Sequence, residues 1–186
     1  MKSKPVWGDP MTKTMRLVAA AFAALLACGL LQPIHPAAAE ANLQGTYTLD
    51  PASAGNPAMA IGNVTSQMGF FKRDIAKRRL TATNIPAQRL VISQAANEIT
   101  IQADGALTIS TPMNGAPTSV TGPDGGTVQV STVWQGATLV RTFTTPDGVR
   151  TNSYSLSGTT LTESVQVTSP DLPQALAYQL TYHKGS

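Results

Sequence analysis

The side chains best able to do chemistry in this sequence are Arg141, Asn152 and Glu163, with Arg150 one pair along its strand. All four sit where the local alternation of apolar and polar residues points inward, among Val, Leu, Phe and Tyr. A guanidinium, a carboxamide and a carboxylate in one row supply charge-assisted hydrogen bonds. They do not supply a nucleophile or a metal cage. A charge buried without a partner is costly, so the row must satisfy itself, meet water or meet a ligand. It is therefore either a closed Arg–Asn–Glu network near a barrel mouth, or the polar end of an apolar cavity. In the second case Arg141 or Arg150 orients an amphipathic ligand. Trp134 and Tyr154 share the face and complete the candidate binding set.

The register that builds this row rests on the turns. A two-residue turn at Gln135-Gly136 sets Trp134 opposite Ala137 and Thr132 opposite Leu139. At Thr145 to Gly148, a loop pairing Thr144 with Val149 keeps Tyr154 and Leu156 beside Leu139 and Phe143. A loop one residue shorter would send them to the other face, so the apolar pattern selects the longer loop. Arg141 then faces Asn152. A turn at Ser157-Gly158 sets Asn152 opposite Glu163 and adds Leu161, Val165 and Val167 to the same side. The last strand contributes Leu176, Tyr178, Leu180 and Tyr182.

The second cluster is cationic. Lys72, Arg73, Lys77, Arg78 and Arg79 lie within one short segment that holds a single carboxylate, Asp74. They form either a solvated helix end or a docking patch for an anionic membrane surface or an acidic partner, aided by Phe70 and Phe71. Nucleic acid is not expected, because the cluster is short and no aromatic stacking platform accompanies it. Little else suggests catalysis. His183 stands near the chain end as a surface residue, Asp104, Asp124 and Asp147 occupy turns, and Glu163 and Asp50 form no readable acid–base pair. The expectation is no enzyme, no cofactor and no metal site.

These groups must be positioned by strands. Turn pairs such as Asp104-Gly105, Asn114-Gly115, Asp147-Gly148 and Ser157-Gly158 recur about every 8–12 residues from Arg89 to His183, the spacing of an all-β sandwich or barrel. After a short strand over Gly45 to Asp50, the runs 89–95, 98–103, 106–111, 118–122, 127–134, 137–144, 149–156, 160–167 and 175–183 read as strands. Between the first and second lies the one helical segment, across Ala58 to Leu80, with Asn56 as cap and Pro57 at its first position. Ile61, Val64, Met68, Phe71 and Ile75 step by three and four onto one stripe, which predicts a buried face. Gly62 and Gly69 each weaken the interior by about 1 kcal/mol relative to Ala, so a kinked helix or two short helices are expected. The fold class is mainly β, an antiparallel meander barrel of about ten strands.

The N-terminus reads as an export signal. Lys13 and Arg16 precede the apolar run Leu17 to Leu31, and Ala37-Ala38-Ala39 supplies a small-residue cleavage site before Glu40. Leu25-Leu26-Ala27-Cys28 offers an alternative, a lipoprotein anchored at Cys28. The division is thus 1–39, extension and signal, and 40–186, one barrel domain. Of 13 Lys and Arg, Lys2, Lys4, Lys13 and Arg16 leave with the signal, and of 10 Asp and Glu only Asp9 does. Nine cations against nine carboxylates remain, so the basic character of the whole chain implies no polyanionic partner. Cleavage also removes Cys28, the only cysteine, and with it any disulfide.

The element order resembles the lipocalin and fatty-acid-binding (calycin-like) barrels, including small exported bacterial lipocalin-like proteins. Gly45-Thr46-Tyr47 is similar to the lipocalin Gly-x-Trp motif, with Tyr in place of Trp. The stretch from Trp134 to Val140, followed by Asp147-Gly148, is similar to late strands of fatty-acid-binding proteins. Their terminal Arg-x-Tyr would fall at Leu180-Thr181-Tyr182, where Leu180 replaces the carboxylate-binding arginine. The resemblance implies a secreted or periplasmic, non-enzymatic protein that binds a hydrophobic or amphipathic, lipid-like molecule. The alternative is an envelope protein–protein interaction module, inhibitor-like or adhesive, with a filled core.

Overall fold

The computed structural model describes residues 40–52, 55–104, 108–122 and 125–185. The expected export segment with Cys28, and the turn residue Asp124, lie outside the described residues. The first described element is β1 (Gly45–Leu49), followed by two helices, α1 (Pro57–Ser66) and α2 (Phe70–Thr83). Strands β2 (Arg89–Gln94), β3 (Glu98–Ala103), β4 (Thr108–Pro112) and β5 (Thr118–Thr121) come next. The longer strands β6 (Thr127–Gln135), β7 (Thr138–Thr145), β8 (Gly148–Ser157), β9 (Thr160–Thr168) and β10 (Leu176–Lys184) complete the wall. The ten strands form one antiparallel sheet in the order β4-β3-β2-β1-β10-β9-β8-β7-β6-β5.

The sheet curls into a nearly closed barrel whose edges are the short strands β4 and β5. Closure is made one strand further along, on β6. Gly115 N donates to Thr132 O at 2.9 Å, Asn114 bridges Val133, and the hydroxyls of Thr111 and Thr132 meet at 2.7 Å. The inner face is the one read from alternation. Leu139, Tyr154, Leu161, Val165, Leu176, Tyr178, Leu180 and Tyr182 are all buried in one core.

Two hairpin registers differ from expectation, each by two residues. Trp134 pairs with Leu139 and Thr132 with Arg141, so the turn is Gly136-Ala137. Tyr154 pairs with Glu163 and Asn152 with Val165, so the next turn is Gly158-Thr159. The reason is the position of glycine. Gly136 and Gly158 have φ of 62° and 60°, and each is the first central residue of its turn. That is the arrangement of a type II′ hairpin, whereas the sequence reading placed them second. A slip of two preserves the side-chain parity, so the faces are unchanged. The middle hairpin pairs Thr144 with Val149 and Arg141 with Asn152, as the apolar pattern required.

The helical segment is two helices. Asn56 Oδ1 accepts from Met59 N at 3.0 Å, and Pro57 opens α1. Ile61 and Val64 are buried against the barrel, but the predicted stripe ends there. Phe71 is 86% exposed and Ile75 52%. The break at Gln67–Gly69 resets the helical phase, so positions that would share a stripe on one rod do not share one here. On α2 only Leu80 is buried. Arg73 Nη2 crosses the break to Ser66 O and Met68 O at 3.0 and 3.1 Å, closing the end of α1.

Candidate functional site

The barrel interior is divided by a polar belt that runs obliquely from β4 to β10. Thr111 and Thr132 begin it. Arg141, 2% exposed, donates from Nε to Thr132 Oγ1 at 3.2 Å and from Nη2 to Thr111 Oγ1 at 3.1 Å. The same Nη2 reaches the carbonyls of Ile99 and Ile109 at 3.3 and 3.4 Å, tying β3 and β4 to the opposite wall. Asn152 Nδ2 donates to Glu163 Oε1 at 2.6 Å, and Tyr182 OH donates to Glu163 Oε2 at 3.2 Å. Each of these polar residues was forced inward by strand parity, and each is met by a neighbour, as burial demands.

Below the belt the barrel is full. Tyr47, Ile92, Ile99, Leu139 and Leu161 are fully buried there, and Tyr47 OH donates to Leu43 O at 2.8 Å. Trp134 belongs to this packed half. Its indole Nε1 approaches Met113 Sδ at 3.3 Å, and alone among the inward candidates it does not line the cavity. Above the belt the barrel is open. A cavity of about 330 Å³ is walled by Leu90, Ile101, Ile109, Val128, Phe143 and Leu180 among others, and floored by Arg141, Asn152, Tyr154 and Glu163. Thr83, the last residue of α2, and Ile85, Pro86 and Ala87 after it form its rim. A wider concavity of about 530 Å³ lies on the outer face of β8 to β10, against Thr151, Ser153 and Ser164, away from the belt.

Arg150 links the floor to the helices. Its Nη1 donates to Thr83 O and Asn84 Oδ1 at 2.9 and 3.1 Å, its Nη2 to Tyr178 OH at 3.4 Å, and its Nε to Asn152 Oδ1 at 2.8 Å. Tyr178 OH donates to Asn84 Oδ1 at 3.0 Å, and Asn84 Nδ2 to Leu80 O at 2.8 Å. The carbonyls at the end of α2 are thus capped by an arginine from the sheet and an asparagine of their own chain, which suits the negative end of the helix dipole. Sequence reasoning missed Asn84, Thr111 and Thr132. The signal for the two threonines was the same parity that found Arg141. Asn84 sits where a helix ends, a position asparagine favours.

The electrostatics follow from burial. Desolvation pushes the Glu163 carboxyl above its ordinary range, opposed by the charge of Arg150 and by hydrogen bonds from the tyrosines and Asn152. Desolvation likewise lowers the Arg141 guanidinium and raises Tyr154 and Tyr182. Arg141 and the half-buried Arg150 are met by hydroxyls, carbonyls and carboxamides rather than by a carboxylate, and His183 pairs with Asp50 at 3.3 Å on the barrel's outer side. Asp104 has a structural role, accepting from the backbone N–H groups of Gln88 and Arg89. The cations Lys72, Arg73, Lys77, Arg78 and Arg79 are exposed on α2, away from the cavity floor.

This is the fold of the fatty-acid-binding, calycin-type barrels: a ten-stranded meander with two helices between the first and second strands. Among solved structures, the fatty-acid-binding protein 1 of Echinococcus granulosus superposes with a TM-score of 0.52 at 13% identity, covering 77% of this chain and 98% of its own. The REP1-NXSQ fatty acid transporter gives 0.52 at 14%, covering 77% and 96%. An abundant heat soluble protein of Ramazzottius varieornatus gives 0.55 at 10%, covering 77% and 95%. No protein-family profile and no curated sequence matches the chain.

Proposed function

We propose that this chain is a non-enzymatic binding protein for an amphipathic small molecule, exported to the periplasm or beyond. The observation that carries the reading is the half-open interior: an apolar chamber of about 330 Å³ that ends on a polar floor. That volume lies at the lower end of the range for small-molecule sites. Two guanidiniums face one carboxylate around this chamber, so an occupant with a single negative charge balances it. Arg141 uses Nε and Nη2 for the wall, which leaves Nη1 for a head group. Leu180 lines the chamber where the resemblance would place an arginine. The head group accordingly belongs near Arg141 and Arg150, with the apolar body toward the rim. The fatty-acid-binding and transporting barrels of similar fold support a lipid-like ligand. Export is supported by Lys13, Arg16, the run Leu17 to Leu31 and Ala37 to Ala39.

The test is displacement of a bound anilinonaphthalene sulfonate by laurate and by dodecanol. Laurate should displace it at lower concentration. Ala103→Phe, which projects a ring into the chamber, should abolish binding while the protein remains folded by circular dichroism. Probe binding unchanged in Ala103→Phe would overturn the reading. So would failure of the wild-type chain to bind either amphiphile, the behaviour expected of an interaction module with a filled core.

A further inference from the structure

Among the described residues Glu163 is the only carboxylate that lines the chamber, and it is 5% exposed. Its two oxygens accept from Asn152 Nδ2 and Tyr182 OH, so neutral donors meet it on both sides. The charged and titratable groups around it come from three strands. On β8, Arg150 stands beyond Asn152, and Tyr154 is the cross-strand partner of Glu163. On β10, Tyr178 and Tyr182 lie close enough for burial beside Glu163 to push both phenols up, as it does Tyr154. From β7, Arg141 reaches the same floor. The floor therefore holds two cations and one group, Glu163, that can switch between neutral and negative.

We propose, on the reading of this chamber as an amphiphile site, that Glu163 sets the charge class it accepts: an anionic amphiphile enters with uptake of a proton at this carboxyl, and a neutral one enters without. A head group at Arg141 and Arg150 brings its negative charge onto the floor that Glu163 also lines. Two like charges in one buried site repel each other. Drawing Arg150 toward the head group also weakens the support that reaches Glu163 through Asn152. Both effects favour the protonated acid in the complex. Burial already tilts the balance that way, since desolvation lifts the carboxyl above its ordinary range before any ligand arrives. The proton also has a partner, because the Tyr182 hydroxyl that donates to Oε2 can turn and accept instead. By linkage, a ligand that raises the proton affinity of Glu163 binds more tightly where Glu163 is protonated. Affinity for an anion therefore falls as pH rises through the pKa of Glu163.

The test is calorimetric titration of the full chain with decyl sulfate, which stays anionic throughout, and with decanol, between about pH 5 and pH 8. The wild-type chain should bind decyl sulfate about tenfold or more tightly at the acid end, which corresponds to one pKa unit of coupling. Its heat of binding should also vary with the ionisation heat of the buffer, as proton uptake requires. Decanol should show neither effect. Glu163→Gln cannot ionise, and its amide still offers an oxygen to Asn152 and a nitrogen to the Tyr182 hydroxyl. At every pH it should bind decyl sulfate as tightly as the wild type does in acid, with circular dichroism showing it folded. The buffer measurement needs only the wild-type chain. Decyl sulfate binding that ignores pH in the wild type would overturn the proposal and leave the ligand class of the chamber standing. So would a pH dependence that persists in Glu163→Gln. Binding of neither amphiphile at any pH would remove the ligand reading, and this role of Glu163 with it.

Discussion

Arg150 and Glu163 are joined through a single carboxamide: Asn152 accepts from Arg150 Nε at 2.8 Å and donates to Glu163 Oε1 at 2.6 Å. The two neighbours fix which way the amide points, because a guanidinium only donates and a carboxylate only accepts. Asn152 thus bridges a cation and an anion that do not touch. Asn152→Leu removes both bonds and leaves Glu163 with less support for its charge, at a cost of about 3 kcal/mol in urea unfolding. Asn152→Asp still accepts from Arg150 but faces Glu163 with a like charge. Its deficit should therefore shrink on acidification, which a urea series across pH will show.

Glu163 itself imposes a pH dependence of known sign. Burial raises its pKa in the fold above that of an ordinary glutamate. Between the unfolded and folded pKa values the native state holds the proton that the unfolded chain has released, so the native state binds more protons there. Stability therefore falls as pH rises through that window, and the penalty is complete above the folded pKa. Glu163→Gln keeps the shape and cannot ionise. The difference in unfolding free energy between Glu163→Gln and wild type should grow from pH 4.5 toward neutrality. A difference independent of pH would show that Glu163 titrates normally in the fold.

Arg141 holds the barrel shut where its two edge strands fail to. Its four bonds reach Thr132 on β6, Thr111 and Ile109 on β4, and Ile99 on β3. Arg141→Met retains the side chain's bulk but takes a donor from the Ile99 and Ile109 carbonyls and leaves the Thr111 and Thr132 hydroxyls bonded only to each other, so about 3 kcal/mol should be lost. The local consequence is more telling. Amide exchange across Thr108–Pro112 should accelerate more than across Gly148–Ser157, because β4 depends on this crossing and β8 does not. Uniform acceleration would assign Arg141 only a general packing role.

The face of every long strand could be read from the sequence, because parity survives errors that register does not. Trp134 and Asn152 were each assigned a partner two residues away from the true one. Both errors came from placing glycine second in a turn that needs it first. Arg141, Asn152 and Glu163 were legible as a row because each interrupts an apolar alternation. What could not be read was where the interior stops being full. That depends on how Tyr47, Leu139 and Leu161 pack across the barrel, a relation among distant strands that no local pattern carries.

The turn glycines give a direct check on the corrected registers. Gly136 and Gly158 occupy left-handed backbone, with nothing near enough to obstruct a methyl group at Gly158. Gly158→Ala therefore suffers from backbone conformation alone, and about 1–2 kcal/mol should be lost. Gly158→Asn should recover part of that, since asparagine tolerates positive φ. Had the turn been Ser157-Gly158, Thr159 would be a strand residue. Thr159→Gly would then cost β propensity, whereas in the turn found here it should be close to neutral in thermal melts.

The two helices offer the sharpest contrast between an expected stripe and an observed one. Ile61 and Val64 are 2% and 3% exposed, while Phe71 and Ile75, which continue the same spacing, face outward. If the break at Gly69 sets the phase of α2, truncations along the former stripe must fall into two classes. Ile61→Ala should cost about 2–4 kcal/mol and Val64→Ala somewhat less, through lost burial and the cavity left behind. Phe71→Ser and Ile75→Ser should each stay within about 0.5 kcal/mol of wild type, as exposed substitutions do. A graded loss along all four positions would mean one continuous helix in solution.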